Sequence, residues 1–220
     1  MEKNEISVME NILSANDTIA DELREQLGQK GILCLNLMSS PGSGKTSLLE
    51  RITGYITEGI FAIEGDIQTS LDADRLASAG IKSYQINTGP FGGDCHLEAG
   101  WIRDAIAQID LSGINYLFVE NIGNLVCPAE FDVGAHLNGV VLSVTEGEDK
   151  SLKYPLAFRN SQFCLISKVD LLPYLDINMQ RMIDNVLSIN PEIEILIISS
   201  KTGEGFDELI EFLEKNRIKN

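Results

Sequence analysis

The 220-residue chain is poor in positive charge and in long apolar runs, and each shortage excludes a class of protein. Lysine and arginine together number 17 against 33 acidic residues, and the formal charge of -16 disfavours nucleic acid or an anionic membrane as the main partner. No run of 18 apolar residues occurs, so no membrane-spanning helix is expected. The polar stretch Met1–Glu5 lacks a secretory apolar segment, and we therefore expect a cytoplasmic protein.

Cysteine and histidine are scarce as well. The chain has four cysteines and two histidines, and no Cys-x-x-Cys pair is present. Four cysteines without dense spacing do not make a disulfide scaffold in a chain of this length. The hydrophobic content of 44% is sufficient for a substantial core, and the length is that of one ordinary domain, which we place at residues 1–220.

What the sequence does contain is a phosphate-binding signature between an apolar run and a helix-like segment. Its glycines allow backbone amides to curl around phosphate oxygens, and the start of the next helix adds its dipole. The lysine would reach the β- and γ-phosphates, and the threonine hydroxyl would ligate Mg²⁺. The usual motif begins with glycine, whereas this chain has Ser39 there. The predicted nucleotide-binding residues of this loop are Gly42, Ser43, Gly44, Lys45, Thr46 and Ser47.

Apolar runs and helical patterns alternate along the rest of the chain. We predict strands at 32–37, 60–64, 82–86, 116–119, 140–144, 163–167 and 194–198, with helices near 46–57, 70–79, 97–109, 151–158, 178–189 and 206–217. Several strands are continuous apolar runs, which is typical of a sheet covered on both faces. The pattern predicts an α/β fold with a doubly wound, mainly parallel seven-stranded sheet flanked by helices, the P-loop NTPase fold. Helical spacing between 7 and 27 predicts an N-terminal helical extension within residues 1–30.

A second motif indicates which base the pocket reads. Lys168 and Asp170 follow a predicted strand, and a carboxylate there can accept hydrogen bonds from N1–H and the 2-amino group of guanine, which adenine lacks. The stem of Lys168 can lie along the base. Ser167-Lys168-Val169-Asp170 resembles the Asn-Lys-x-Asp signature of GTPases. The segment Ser199–Gly203, which includes Ser200 and Lys201, resembles the Ser-Ala-Lys loop that closes over the base. GTP is therefore favoured over ATP.

Acidic residues at strand ends predict a magnesium site and a nucleotide switch. Glu120 and Gly123 follow the strand at 116–119, where switches carry an acid facing Mg²⁺ and a glycine whose amide meets the γ-phosphate. Asp66 ends another strand, and Asp72 follows it. The alternative role for each acid is a helix N-cap or a surface charge. For Asp72 this alternative has the same weight as the role in the magnesium site. The predicted Mg²⁺ ligands are Thr46, Asp66 and Glu120, and the predicted catalytic residues are Lys45, Asp66, Asp72 and Glu120.

Two further loops carry cysteine and histidine. Cys95, His96 and Cys127 offer soft-to-borderline ligands that suit Zn²⁺ or Ni²⁺ and are poor for Mg²⁺. Loops leaving neighbouring strand ends can converge, and three protein ligands leave a position for water or for a second chain on a two-fold axis. The alternative is a buried apolar role, which we expect for Cys34 and Cys164 inside predicted strands.

Together these segments resemble the HypB family of GTPases that deliver nickel during nickel–iron hydrogenase maturation. The resemblance rests on residues 40–46, 64–66, 72–75, 87–89, 95–97, 120–128 and 145–150. It implies that Cys95, His96 and Cys127 bind nickel or zinc at the face where two GTP-bound subunits form a homodimer. It also implies a HypA-type nickel chaperone and the hydrogenase large-subunit precursor as partners, with slow hydrolysis of Mg²⁺-bound GTP. The chain lacks the histidine-rich stretch of some members, which predicts about one ion per site.

Three other interpretations are compatible with part of the sequence. A urease-type nickel GTPase has the same class of fold, but its Cys-Pro-His motif is absent. A P-loop small-molecule kinase would leave Lys168, Asp170 and the cysteine–histidine set unexplained. A metal-binding scaffold with a vestigial nucleotide pocket would not release phosphate from GTP.

Overall fold

A computed structural model describes residues 2–66, 71–89 and 95–218 of the chain. The strands are β1 (Leu33–Ser39), β2 (Ile60–Asp66), β3 (Lys82–Asn87), β4 (Tyr116–Glu120), β5 (Leu137–Ser143), β6 (Phe163–Ser167) and β7 (Glu194–Ile197). The helices are α1 (Glu2–Gln29), α2 (Lys45–Ile52), α3 (Leu71–Ser78), α4 (Ala99–Ile106), α5 (Lys150–Lys153), α6 (Pro155–Arg159), α7 (Met179–Ile189) and α8 (Phe206–Asn216).

The seven strands form one sheet in the order β3-β2-β4-β1-β5-β6-β7, and every pair of neighbours is parallel. The predicted doubly wound α/β sheet is thus confirmed, and its strands are entirely rather than mainly parallel. Because all strands share one direction, their carboxyl ends meet at one edge of the sheet. Strand β1 lies in the middle, so the loop after it is at the centre of that edge.

Both faces of the sheet are covered by helices. Leu35 and Leu37 of β1 belong to a buried cluster that includes residues of α2 and α8. The alternate residue Cys34 belongs to a second cluster that includes residues of α1 and α4. Side chains that alternate between two apolar layers explain why β1 reads as a continuous apolar run rather than as an alternating pattern.

Helix α1 packs on the sheet face that also carries α4. Leu23 and Leu27 are buried in the second cluster, and the side-chain amide of Asn16 donates to the carbonyl of Asp132 at 2.8 Å. The carboxamide oxygen of Asn16 also accepts from the backbone N–H of Ala99 at 2.9 Å, at the start of α4. Across residues 2–66, 71–89 and 95–218, no helix has both the length and the apolar character needed to cross a membrane.

Four predicted elements differ from the structure, and two of them, the helices predicted near 46–57 and 97–109, end earlier, at Ile52 and Ile106. The single helix predicted at 151–158 was wrong, because the chain forms α5 and α6 with Tyr154 between them at φ -127° and ψ 54°. Pro155 causes the break, since proline disfavours helical geometry in the preceding residue. The strand predicted at 140–144 begins earlier, at Leu137, and ends at Ser143, whose hydroxyl accepts from Thr145 N–H and starts a 3-10 turn. Residues 67–70, which include the start of the helix predicted near 70–79, lie outside the described residues.

Candidate functional site

The loop between β1 and α2 has the conformation that a phosphate-binding loop requires. Gly42 and Gly44 adopt positive φ angles of 74° and 108°, which glycine tolerates without strain. Lys45 is only 8% exposed, and its Nζ donates to Ser39 Oγ at 2.8 Å. Burial lowers the pKa of Lys45, although the nearby carboxylate of Glu120 opposes this shift. The serine that replaces the usual first glycine therefore orients the lysine ammonium.

Beside this loop, Thr46 Oγ1 donates to Glu120 Oε1 at 2.8 Å. Glu120 is buried, and its second oxygen, Oε2, has no hydrogen-bond partner within the described part of the chain. Burial raises the pKa of Glu120, while Lys45 and Thr46 oppose that shift. Asp66 and Asp72 line the same cleft, whose volume is about 460 Å³. The structure thus brings the predicted magnesium ligands and catalytic residues to one place.

Two charged residues of this region, Glu64 and Arg75, belong to the matched segments 64–66 and 72–75 but were given no role in the sequence analysis. Glu64 is 3% exposed and pairs in register with Glu120 across β2 and β4. Burial, together with the charges of Glu120 and Asp72, raises the pKa of Glu64 to about 7. Arg75 donates to Ser47 Oγ at 3.0 Å and to Glu50 Oε2 at 2.7 Å, at the rim of the cleft. Two features of the sequence could have identified these residues: Glu64 is an acid inside an apolar run, and Arg75 is a lone arginine close to Asp72.

The predicted guanine-binding loop is attached directly to the phosphate loop. Ser167 Oγ donates to the carbonyl of Ser43 at 2.7 Å, and Lys168 Nζ donates to the carbonyl of Gly42 at 2.6 Å. Lys168 has φ 62° and is the one non-glycine residue of positive φ in the described ranges. Serine at the usual asparagine position therefore still bonds to the phosphate loop, and the lysine stem lies across it.

Asp170 lies in a cleft of about 540 Å³ that Ser200 and Lys201 also line. Its Oδ1 accepts from Ser199 Oγ at 2.6 Å, and its Oδ2 lies 3.9 Å from Lys201 Nζ. The Asp170 side chain is only 13% exposed, which limits competition by water for its oxygens. The structure brings together all the predicted base-recognition residues, and Ser199, the first residue of the predicted closing loop, holds the Asp170 carboxylate.

Cys95, His96 and Cys127 form a compact ligand cluster. One ligand atom from each lies within 4.8 Å of the others, and the two sulfur atoms are 2.6 Å apart in free cysteines. A hydrogen bond with Cys127 and burial raise the pKa of Cys95. Cys34 and Cys164 are completely buried in strands, as predicted. The four cysteines therefore divide into two core residues and two that share the cluster.

The predicted convergence of neighbouring strand ends was wrong in one respect. The loop with Cys95 follows β3 and the loop with Cys127 follows β4, but β2 lies between these strands in the sheet. Cys95 and Cys127 therefore come together although the strands that precede them in the chain are separated by β2. Residues 90–94, which include Gly92 and Gly93, lie outside the described residues.

Stacking fixes the imidazole of His96. Its ring lies 3.9 Å from the ring of Phe131, measured between centroids, with an interplanar angle of 24°. Both ring nitrogens are buried and lack a hydrogen-bond partner among the described residues, although Nε2 is 3.5 Å from Glu98 Oε1. Buried nitrogens without partners are costly unless a ligand or a water meets them. The donor set of two thiols and an imidazole fits nickel or zinc.

The segment from Glu120 to Cys127 joins the two parts of the site. Gly123 lies against Pro41 of the phosphate loop, where an added Cβ would come within 3.1 Å of the Pro41 Cα. Asn124 forms an antiparallel bridge with Ser39, and its side chain donates to the carbonyl of Cys95 at 3.4 Å. One short segment therefore contacts both the phosphate loop and the cysteine–histidine cluster.

Comparison with known proteins agrees with this arrangement. Residues 33–197 match the CobW/HypB/UreG nucleotide-binding domain. The hydrogenase/urease maturation factor HypB of Helicobacter hepaticus is 42% identical, with 100% of this chain and 91% of that protein aligned. The hydrogenase maturation factor HypB of Escherichia coli is 45% identical, with 94% of this chain and 71% of that protein aligned.

Solved structures give the same result. The crystal structure of HypB from Helicobacter pylori in complex with nickel has a TM-score of 0.86 and 38% identity, covering 91% of this chain and 94% of that one. HypB from Archaeoglobus fulgidus has a TM-score of 0.84 and 37% identity, covering 92% of this chain and 98% of that one. The resemblance found in the motifs is confirmed across nearly the whole length, and the chain belongs to the CobW/HypB/UreG family, among the HypB hydrogenase maturation factors.

Proposed function

We propose that this chain is a GTP-hydrolysing metallochaperone that binds nickel and passes it to the nickel–iron hydrogenase large-subunit precursor. The single observation that carries this proposal is the segment from Glu120 to Cys127, which begins at a predicted magnesium ligand and ends at a predicted nickel ligand. The names of the relatives and the nickel in the Helicobacter pylori structure support the choice of cargo and pathway. Family membership leaves the small-molecule kinase without support.

In this proposal the phosphate loop and the strand ends hold Mg²⁺-bound GTP. Lys45 contacts the β- and γ-phosphates, and Thr46, Asp66 and Glu120 hold the ion directly or through water. The buried Glu120 Oε2 without a partner is consistent with a cation at that position. When bound, the ion neutralises charge that develops on the phosphates. No glutamine follows Gly123 to orient water, so we expect slow hydrolysis, with Asp66 or Asp72 as the candidate for that role.

The cysteine–histidine cluster holds the cargo. Two thiolates and one imidazole complete three positions of a four-coordinate ion, and the fourth is available to a ligand from a second chain. Val126, next to Cys127, is 48% exposed, which places an apolar side chain at the proposed contact face. GTP would order the segment from Glu120 to Gly123 and thereby promote the homodimer, and hydrolysis would reverse it. A HypA-type chaperone is the proposed source of nickel.

The proposal is tested by nickel transfer. The nickel-loaded chain, mixed with metal-free large-subunit precursor, should load the precursor faster with GTP than with GDP. Elemental analysis of the separated precursor measures the transfer. Equal transfer with both nucleotides, at equal nickel loading of the donor, would contradict a nucleotide-driven chaperone and favour a passive metal carrier.

Base selection gives a separate prediction. Replacing Asp170 by asparagine should weaken GTP binding on the order of 10–100-fold and leave ATP binding unchanged, because charge-assisted hydrogen bonds to guanine are lost. Competition against a fluorescent GTP analogue measures both affinities. Asp207→Asn, an exposed acid in the first turn of α8, is the matched control and should behave as the wild type. An unchanged ratio of GTP to ATP affinity in Asp170→Asn would refute the assignment.

A further inference from the structure

Leu97, the residue directly after His96, is held by neighbours of two predicted magnesium ligands. Its backbone N–H donates to Asn121 Oδ1 at 3.3 Å, and Asn121 directly follows Glu120. Its side chain is fully buried against Gly65, where an added Cβ would lie 2.9 Å from Leu97 Cδ1. Gly65 directly precedes Asp66 in β2. His96, a proposed nickel ligand, is thus adjacent in sequence to Leu97. The two residues that Leu97 contacts are in turn adjacent in sequence to the proposed magnesium ligands Glu120 and Asp66.

The side chain of Asn121 is fixed by hydrogen bonds on both sides. It is 1% exposed, its Oδ1 also accepts from the N–H of Ile122 at 3.0 Å, and its Nδ2 donates to Asn36 Oδ1 at 3.1 Å. Asn36 in turn donates to Asn138 Oδ1 at 3.0 Å. Buried hydrogen bonds of this kind hold their partners in a defined geometry, because breaking one leaves an unsatisfied polar group.

We propose that Leu97, clamped between Asn121 and Gly65, is the joint through which the nucleotide at Asp66 and Glu120 sets the position of His96. This inference rests on the proposed function, since it presumes that GTP and GDP give different nickel affinities. Asn121 and Gly65 are then positioning residues, which act on the metal through Leu97 and do not touch it.

This joint shares Asn121 with the segment from Glu120 to Cys127, but it leaves that segment through the bond from Leu97 and leads to a different proposed ligand, His96. That segment reaches the cluster only after several residues, including the exposed Val126, whereas the joint reaches His96 through two packed contacts. The two routes end at different proposed ligands, from β4 at Cys127 and from β2 and β4 at His96. Both ligands can therefore respond to the same phosphate.

The test is nickel titration of the full chain saturated with GDP or with a non-hydrolysable GTP analogue. Allosteric coupling of ordinary size would make the two affinities differ by ~5–150-fold in the wild type. Asn121→Ala keeps every proposed nickel ligand but removes the bond to Leu97, so its two affinities should converge. Asn138→Ala is the matched control. It removes the last of three asparagines that are hydrogen-bonded in series, at the end away from Leu97, and should keep the wild-type difference in nickel affinity.

A second variant covers the case in which Asn121→Ala does not fold. Gly65→Ala would press on the flexible end of Leu97, and it should change the nickel–thiolate absorption spectrum with GDP bound and reduce the difference between nucleotides. If the wild-type chain had the same nickel affinity with GDP as with the GTP analogue, the proposed function itself would be overturned. If both variants kept the wild-type difference in nickel affinity between the two nucleotides, only the proposed role of Leu97 would be overturned. Loss of nickel binding in both nucleotide states would also count against it, since that result marks Asn121 as a structural support.

Discussion

Replacement of Lys45 by alanine should abolish GTP hydrolysis and most GTP binding while the fold is retained. The protein carries a formal charge of -16, and Lys45 is the buried cation of the phosphate loop, so few other groups offset the repulsion of a triphosphate. Loss of one charge-stabilising donor in a preorganised site typically lowers turnover on the order of 10²–10³-fold. Phosphate release and binding of a fluorescent GTP analogue measure the two effects.

Lys215→Ala is the matched control, because Lys215 is an exposed lysine of α8, remote in sequence from the loop. It should hydrolyse GTP at the wild-type rate. Thermal unfolding of both variants shows whether the fold is retained. Phosphate release by the wild type that disappears in Lys45→Ala excludes a scaffold with a vestigial pocket. A folded Lys45→Ala chain with wild-type turnover would contradict the role given to this lysine.

Replacement of Cys95 by alanine should remove tight nickel binding and leave GTP binding intact. Cys95 supplies one of two thiols in a cluster of three proposed ligands, so the variant retains only one thiol and one imidazole. Loss of a direct ligand should exceed the effect of losing an outer-shell partner, and we expect affinity to fall by more than about 100-fold. Nickel titration and elemental analysis of the dialysed protein measure affinity and stoichiometry.

Cys164→Ala is the comparison variant, since Cys164 is completely buried in β6 and does not belong to the cluster. It should bind nickel as the wild type does, which separates thiol loss at the cluster from thiol loss elsewhere. Unchanged nickel stoichiometry and affinity in Cys95→Ala would contradict the assignment of the cluster as the cargo site.

Much of the fold follows from local patterns in the sequence. Several strands are short apolar runs, and all seven strands were located within a few residues of their observed ends. Doubly wound topology follows because buried runs alternate with helices. The break between α5 and α6 also had a local signal, Pro155, whose effect on Tyr154 was not weighed. Strand order, by contrast, depends on packing between distant segments, and the position of β2 between β3 and β4 was not predicted.

The candidate site divides in the same way. Residues in contiguous motifs, such as Lys45, Thr46 and Asp170, were identified because phosphate and base chemistry require these side chains at fixed spacing. Contacts between distant segments were missed, including those of Ser167 with the phosphate loop and of Leu97 with Asn121. Such contacts exist only after the sheet has assembled, and no spacing along the chain encodes them. For the cysteine–histidine cluster, residue types and loop positions left a metal site and a buried apolar role open, and the family resemblance favoured the metal site.

In the proposed function, one short segment senses the terminal phosphate of GTP at Glu120 and directs a sulfur at Cys127. Gel filtration with light scattering, combined with nickel titration, compares the chain bound to GDP with the chain bound to a non-hydrolysable GTP analogue. We predict the mass of two chains with the analogue and nickel, the mass of one chain with GDP, and nickel affinities that differ by ~5–150-fold. Identical masses and identical nickel affinities with the two nucleotides would contradict it.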